Sequence, residues 1–239
     1  MKPFEKMTKL EVIVFCLMAI SSGCVIGIGG SASLLANSLF GAWGKLIGGL
    51  LFSLGIFAIV TFEMRLFTGM VADIPTLGWK NSWRLPVCFL GNTIGVAFIS
   101  LLAAYSPVAE RIIAQGAITI SGKLNAENWA IKAFCSSILC GALITISVKS
   151  VKFAPQKGLN ATVGVIFPIV VFAFCGFDHS VANMMYFFYL GEVSWHTAGY
   201  ILITILGNIV GGVPLTAISL LKEKARKEKE LQEKNEKSV

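Results

Sequence analysis

Two short segments of the sequence place polar and ionisable residues inside otherwise apolar stretches. They are FEMRLFTGM at Phe62–Met70 and FDHSVANMM at Phe177–Met185. Within a membrane span an ionisable side chain is costly and is a functional candidate by default. Histidine changes charge near neutral pH, so His179 could pass a proton to an arriving anion or hold a positive charge for it. It has no second His and no cluster of Cys and Glu beside it in the sequence, so no metal site is expected.

Four further polar residues occupy matching positions when the two segments are aligned. The alignment pairs Glu63 with Asp178 and Thr68 with Asn183. The two carboxylates could cap half-helices by accepting backbone N–H groups or take a direct part in conduction, and both roles remain open. Thr68 and Asn183 can hydrogen-bond interrupted backbone or a passing solute, and Thr68 is expected to face the pore.

Apolar residues flank these polar positions. Their spacing alone favours ordinary packing, although constrictions built from hydrophobic side chains also gate pores by excluding water. The candidates for such a constriction are Phe52, Ile56, Leu66, Phe67 and Phe172.

The elements that must position these residues are transmembrane helices. Of the 239 residues, 55% are hydrophobic and 14% are charged, a composition that excludes an ordinary soluble domain. Apolar stretches long enough for membrane helices recur, and alternating strand patterns are absent, so the predicted class is an all-α membrane protein. Spans two and five run into glycine and polar residues and are interpreted as broken helices. Six spans are predicted, at 10–35, 46–72, 85–105, 129–148, 161–190 and 197–220.

Basic residues are distributed unevenly over the connections. They gather at the amino end, after spans two and four, and in the tail, so the positive-inside rule places both termini in the cytoplasm. The predicted organisation is a cytoplasmic segment 1–9, a six-span domain 10–221 and a charged tail 222–239, either a solvated helix or disordered. Topology thus explains the net charge of +7. No nucleic-acid partner is expected, because the basic residues do not surround aromatic stacking positions.

A second pair of matching segments follows the first pair downstream. GNTIG at Gly91–Gly95 matches GNIVG at Gly207–Gly211, which indicates a duplicated three-helix unit covering about 10–105 and 129–220. Three spans are an odd number, so the second copy is inverted relative to the first. Broken helices at corresponding places in inverted repeats point to a substrate path near the midplane. The amino ends of half-helices there favour an anion.

These segments carry a resemblance to a known family. GFDHSVANM resembles the GFEHSxANM signature of the formate/nitrite transporter family, and LFTGM resembles its LFTG loop. The resemblance covers essentially the whole membrane part. Aspartate replaces the usual glutamate at Asp178, Met70 stands where an asparagine often follows FTG, and Gly141 stands where many members have an asparagine.

The resemblance implies an aquaporin-like fold of six spans, assembled as a homopentamer in the bilayer with one pore in each protomer. Its implied cargo is a small monovalent anion: formate, nitrite or hydrosulfide, or in some members lactate or acetate. By position His179 is the central pore histidine and Thr68 its polar partner. The five apolar candidates form two slits beside that histidine, and Lys123, in a short outer loop, attracts the anion.

The resulting hypothesis is transport of a small monovalent anion, formate or nitrite before hydrosulfide, lactate or acetate, together with a proton. Crossing apolar slits as a bare charge is costly, so proton donation from His179, directly or through water, would let the solute cross as the neutral acid. A different class, a neutral-solute channel of the aquaporin type, remains the alternative, although paired Asn-Pro-Ala boxes are absent. An enzyme is not expected, because no phosphate-binding loop and no serine or cysteine with a partner base is found. No cofactor is expected either.

Overall fold

A computed structural model describes residues 7–153, 159–191 and 194–236, which form ten α-helices and two short 3₁₀ turns. The 3₁₀ turns, Gly41–Trp43 and Trp79–Asn81, precede α2 and α5. The helices are α1 (Lys9–Leu39), α2 (Gly44–Thr61), α3 (Phe67–Val71), α4 (Ile74–Leu77), α5 (Arg84–Ala104), α6 (Ala109–Leu124), α7 (Trp129–Phe153), α8 (Leu159–Cys175), α9 (Ser180–Leu190) and α10 (Trp195–Glu236).

The helices are long and apolar enough to cross a membrane at the predicted places. In the described part of the chain, five helical segments pass by length and composition, and α8 with α9 makes a sixth span bent by 45°. The predicted all-α architecture is therefore confirmed, with span five broken between α8 and α9. The five other segments are Lys9–Leu39, Gly41–Thr61, Trp79–Ala104, Trp129–Ser150 and Trp195–Glu233, of which Gly41–Thr61 holds only the first part of predicted span two.

Each broken span is interrupted by one residue in the left-handed backbone region. Glu63 follows α2 with φ 52°, and Gly176 follows α8 with φ 71°. After each turn the chain folds back on its own helix: the Met64 N–H donates to the Ile59 carbonyl, and the Phe177 N–H donates to the Phe172 carbonyl. The same local path therefore ends the first half-helix of both spans.

Two buried asparagines hold the breaks in the same way and define the repeat. In α5 the Asn92 side chain accepts the Phe67 N–H at 2.8 Å and donates to the Arg65 carbonyl at 2.9 Å. In α10 the Asn208 side chain accepts from Ser180 at 3.1 Å and donates to the Asp178 carbonyl at 3.0 Å. The GN pairs of the sequence are thus structural equivalents.

These hydrogen bonds correct the alignment of the two polar segments by two residues. Arg65 is the counterpart of Asp178, and Leu66 is the counterpart of His179. Glu63 corresponds to Gly176, so the pairings of Glu63 with Asp178 and of Thr68 with Asn183 are wrong. The sequence match followed shared Phe and Met residues, whereas the fold is set by the left-handed residue and the asparagine contacts.

Glycines let the helices of each half cross closely. α1 packs on α2 and α5, and α7 packs on α8 and α10. Gly23 in α1 lies against the Asn92 backbone, and Gly141 in α7 lies against the Asn208 backbone. A Cβ at position 141 would lie 2.7 Å from the Asn208 Cα, so this backbone excludes a larger residue there.

We expect Gly141→Ala to destabilise the protein. The new methyl group would push α10 from α7 and disturb the Asn208 hydrogen bonds, and overpacking of this kind costs about 1–3 kcal/mol. The thermal unfolding temperature in detergent measures the loss. Gly199→Ala is the matched control, because its Cβ meets nothing within 4 Å. An equal effect of the two substitutions would contradict this explanation.

One part of the chain differs from the sequence expectations, and a second part, the charged tail, adopts one of the two states expected for it. The predicted outer loop between spans three and four is instead the 16-residue helix α6, which buries a stripe at Ile112, Gly116, Ile120 and Leu124. With 16 residues, α6 is shorter than the roughly 20 apolar residues that a membrane span needs. The charged tail, left open between helix and disorder, continues α10 as helix to Glu236, with i,i+4 ion pairs such as Lys227 with Glu223.

Candidate functional site

The two half-helices α3 and α9 bring Thr68 and His179 together in the core. His179 is fully buried and caps the amino end of α9, where its Nδ1 accepts the Ala182 N–H at 3.0 Å. Its Nε2 lies 2.9 Å from the Thr68 Oγ1. Because Nδ1 is an acceptor, the proton of the neutral ring is on Nε2 and is donated to Thr68.

Thr68 is positioned by the break that precedes it. It is the second residue of α3, whose first N–H is held by Asn92, and it is fully buried. With its oxygen accepting from His179, its hydroxyl hydrogen remains available to a polar neighbour or solute. The pair can therefore present one donor to an anion without carrying charge.

We expect Thr68→Val to reduce transport strongly while Thr68→Ser largely retains it. Valine keeps the shape but leaves the His179 Nε2–H unpartnered, a cost of about 1–3 kcal/mol for a buried donor. Initial uptake rates in proteoliposomes, normalised to folded protein, compare the two variants. Equal rates for Thr68→Val and the unmodified protein would exclude the hydroxyl from the path.

The five apolar candidates are all buried and belong to one hydrophobic core cluster. Phe52 and Phe172 meet edge to face with ring centroids 5.3 Å apart, and the Phe172 ring lies 5.8 Å from the His179 ring. Phe67 packs on Phe89 at 4.9 Å. Ile56 and Leu66 are 0% and 3% exposed. The Phe52–Phe172 contact therefore closes one side of His179.

A vestibule with a volume of about 410 Å³ opens on that side. Phe52 and Phe172 line its inner end, and its charged lining residues are Lys45 and Lys123. The vestibule thus leads from two basic side chains to an apolar contact with the histidine behind it. Lys45 forms no ion pair within the described residues, so its charge remains uncompensated.

Lys123 lies elsewhere than predicted, and its charge is paired. It lies in the last turn of α6 and reaches Asp178 at 2.7 Å and the Gly176 carbonyl at 3.0 Å. The side chains of Lys123 and Asp178 are 20% and 5% exposed. The expected exposed loop lysine is in fact a half-buried partner of the second break.

Asp178 and Glu63 have different surroundings. The Asp178 carboxylate accepts hydrogen bonds from Tyr200 at 2.7 Å and Asn183 at 2.9 Å in addition to Lys123. His179 caps the amino end of α9, so Asp178 does not cap this helix and serves as the ion-pair partner of Lys123. Glu63 is exposed on the surface of the protomer and caps no described helix. Asn183 is buried and orients Asp178.

Some residues that shape the site were missed as functional candidates from the sequence. Tyr200 and Asn208, both in α10, and Asn92 in α5 hold the breaks, and Lys45 supplies the unpaired vestibule charge. The GN motif contains both asparagines, but its role in the sequence analysis was to mark the internal repeat, and the asparagine side chains were given no function. Nothing in the sequence marks Tyr200, since its partner lies 22 residues away.

A second ion pair fixes the far end of α3. Lys149 in α7 donates to Asp73 at 2.7 Å and to the Thr216 hydroxyl at 2.6 Å. Its side chain is 13% exposed. These contacts join the segment after α3 to α7 and α10, so the half-helix that carries Thr68 is held at both ends.

Comparison with known proteins places this arrangement among membrane transport proteins. The sequence model of the family described as formate/nitrite transporter matches residues 2–221. A probable formate transporter of Methanothermobacter thermautotrophicus is 29% identical over an alignment of 255 positions, covering 89% of this chain and 88% of the relative. The formate channel FocB of Escherichia coli strain K12 is 26% identical, covering 90% of this chain and 88% of the relative.

Solved structures share the fold. A structure titled as a pentameric formate channel with formate bound superposes with a TM-score of 0.72 at 23% identity, covering 92% of this chain and 100% of the other. An ion channel of the same family gives a TM-score of 0.75 at 22% identity, covering 90% and 91%. With the family match extending over nearly the whole chain, the protein belongs to the formate/nitrite transporter family.

Proposed function

We propose that the protein transports small monovalent anions, formate first among them, together with a proton. The observation that carries the proposal is the buried His179–Thr68 pair behind the Phe52–Phe172 contact at the inner end of a basic vestibule. A relative described as a probable formate transporter and a structure titled as a formate channel support formate as the substrate.

Attraction to the vestibule is the first step. Lys45 carries the uncompensated positive charge, while the Lys123–Asp178 pair is neutral overall. Opposite charge raises the local concentration of an anion at the mouth. The anion then meets the Phe52–Phe172 contact, where a small, weakly hydrated solute passes at the lowest cost.

Proton transfer at His179 completes the passage. In the resting state the ring is neutral, because Nδ1 accepts the Ala182 N–H. An anion near Nε2 favours protonation of the ring at Nδ1 by a hydronium ion that enters with it, which breaks the bond to Ala182. The ring then gives its Nε2 proton to the anion and is left neutral with its proton on Nδ1. Loss of that proton to water and return of one from water to Nε2 restore the starting tautomer and the bond to Ala182. The neutral acid leaves through the second apolar side at Leu66 and Phe67.

The proposed setting follows from charge and family. We assign transport to residues 10–221, with the segment 1–9 and the tail 222–239 in the cytoplasm, because lysine and arginine gather on that side of the spans. The membrane is the plasma membrane, and the assembly is a homopentamer like the related formate channel. Each protomer has its own path.

A competition assay tests the substrate. Purified protein in proteoliposomes takes up labelled formate, and nitrite, hydrosulfide, lactate and acetate compete in turn, while an internal dye reports proton entry. We expect formate uptake to be accompanied by protons and inhibited by nitrite. Osmotic swelling with glycerol or water and no formate uptake would replace the proposal with the aquaporin-type alternative.

A further inference from the structure

Three polar side chains in the vestibule form no hydrogen bond with any residue in the described ranges. Ser33 and Asn37 lie one turn apart on α1, and Gln115 lies on α6. Ser33 is 8% exposed, and the Asn37 Oδ1 is buried and unpartnered. Buried polar groups are normally hydrogen-bonded, so unpaired groups of this kind require an explanation. We call these three residues the polar wall.

The polar wall lies immediately before the Phe52–Phe172 contact. Gly48 lies one turn before Phe52 on α2. A Cβ at Gly48 would lie 2.7 Å from the Ser33 Oγ and 3.4 Å from the Asn37 Oδ1, so the glycine leaves room for both groups beside the contact. A solute in the vestibule therefore passes the polar wall before it reaches the two aromatic rings.

Helix α6 turns a polar stripe towards the vestibule. Gln115, Thr119 and Lys123 follow one another at single helical turns, and all three line the vestibule. The Thr119 hydroxyl donates to the Gln115 carbonyl at 2.7 Å, and Lys123 is paired with Asp178. Within the described residues, Gln115 is thus the member of the stripe whose side-chain donors are unused.

The polar wall can donate hydrogen bonds from two helices. Ser33 offers its hydroxyl hydrogen, and Asn37 and Gln115 each offer an NH₂ group. A hydrogen bond to an ionised acceptor is about twice as strong as one between neutral groups. Lys45 lines the same vestibule and adds an unpaired positive charge. The polar wall therefore suits an anion whose acceptor atoms can be reached from both helices.

We propose that the polar wall binds oxyanions and replaces part of their hydration before they reach the Phe52–Phe172 contact. The proposal rests on the proposed function and names the class of anion that the path prefers. Formate and nitrite carry two oxygens on one central atom, so both helices can donate to the same solute. Hydrosulfide presents a single sulfur, a weaker acceptor. A site that hydrogen-bonds its substrate discriminates against an analogue without those acceptors.

Competition for labelled formate uptake in proteoliposomes tests the polar wall. The triple variant Ser33→Ala, Asn37→Leu and Gln115→Met removes the donors and keeps similar side-chain sizes. We expect the formate concentration for half-maximal uptake to rise severalfold to about tenfold, because hydrogen bonds to a charged solute are lost. The inhibition constant of nitrite should rise in parallel. The inhibition constant of hydrosulfide should stay as in the unmodified protein.

Thr119→Val is the matched control. Thr119 lines the same vestibule, but its hydroxyl hydrogen is already donated to the Gln115 carbonyl. This variant is expected to leave the constants for formate and nitrite unchanged. If the triple variant does not fold, Gln115→Met alone decides, with a smaller shift in the same direction. Gln115→Glu adds a negative charge and should weaken all three anions, which separates charge from hydrogen bonding.

The outcomes distinguish the polar wall from transport itself. An equal rise of the constants for formate, nitrite and hydrosulfide in the triple variant would show a general distortion of the vestibule and overturn oxyanion recognition. Formate uptake with unchanged constants in that variant would overturn the polar wall and leave the proposed function intact. Absence of formate uptake by the unmodified protein would overturn both.

Discussion

We expect His179→Phe to abolish proton-coupled formate uptake in proteoliposomes. Phenylalanine removes the ring nitrogen that faces Thr68 and the one that caps α9. Among the described residues His179 is the titratable side chain that hydrogen-bonds Thr68, so the proton loses its carrier beside Thr68. Loss of the cap also costs stability, about 1 kcal/mol for a typical helix. Uptake of labelled formate and dye-reported proton entry are measured together.

His179→Asn separates the two roles of the histidine. Asparagine is a good helix cap and can accept the Ala182 N–H, yet it cannot exchange a proton near neutral pH. We expect this variant to fold like the unmodified protein and to lose proton entry with formate. If either variant carried formate and protons at the unmodified rate, the proton step at His179 would be wrong, while anion transport itself would stand.

The sequence predicted the parts of the fold that depend on local composition. Six long apolar stretches identify the spans, and polar residues with glycine identify the two breaks. Helix α6 was not predicted, because only one of its faces is apolar, with Ile112, Ile120 and Leu124 buried along it. The predicted pairing of residues between the two halves was also wrong. It is set by hydrogen bonds from Asn92 and Asn208 to backbone about 25 residues or more away in the sequence.

The sequence identified many of the residues of the site, but it did not predict all the contacts between them. Thr68 and His179 lie together, although 111 positions separate them. Lys123 and Asp178 were both candidates, but 55 positions and the two helices α7 and α8 separate the partners of their ion pair. Such a pairing depends on tertiary packing, which one sequence does not reveal. The consequence is functional, since a paired lysine attracts an anion far less than a free one.

Removal of the cation from the Lys123–Asp178 ion pair, in the variant Lys123→Met, is expected to lower both the stability of the protein and its affinity for formate. This substitution leaves Asp178 charged, almost buried and without its cation, a change that typically costs about 3–5 kcal/mol. It also leaves a net negative charge beside the vestibule. At an effective dielectric constant of 20, one unit charge about 8 Å from an anion raises its energy by about 2 kcal/mol. We expect a lower unfolding temperature and a severalfold to more than tenfold weaker apparent affinity for formate.

The double variant Lys123→Met with Asp178→Asn distinguishes net charge from direct contact. It removes both charges and keeps an amide that can hydrogen-bond Tyr200 and Asn183, so stability and affinity should both recover towards those of the unmodified protein. The variant Lys45→Met is expected to weaken formate uptake without changing the unfolding temperature, because Lys45 is exposed and unpaired in the described structure. The loss of uptake should shrink as the salt concentration rises, since salt screens an exposed charge. If the double variant binds formate as poorly as Lys123→Met, the lysine contacts the anion itself, and the ion pair must open during each passage.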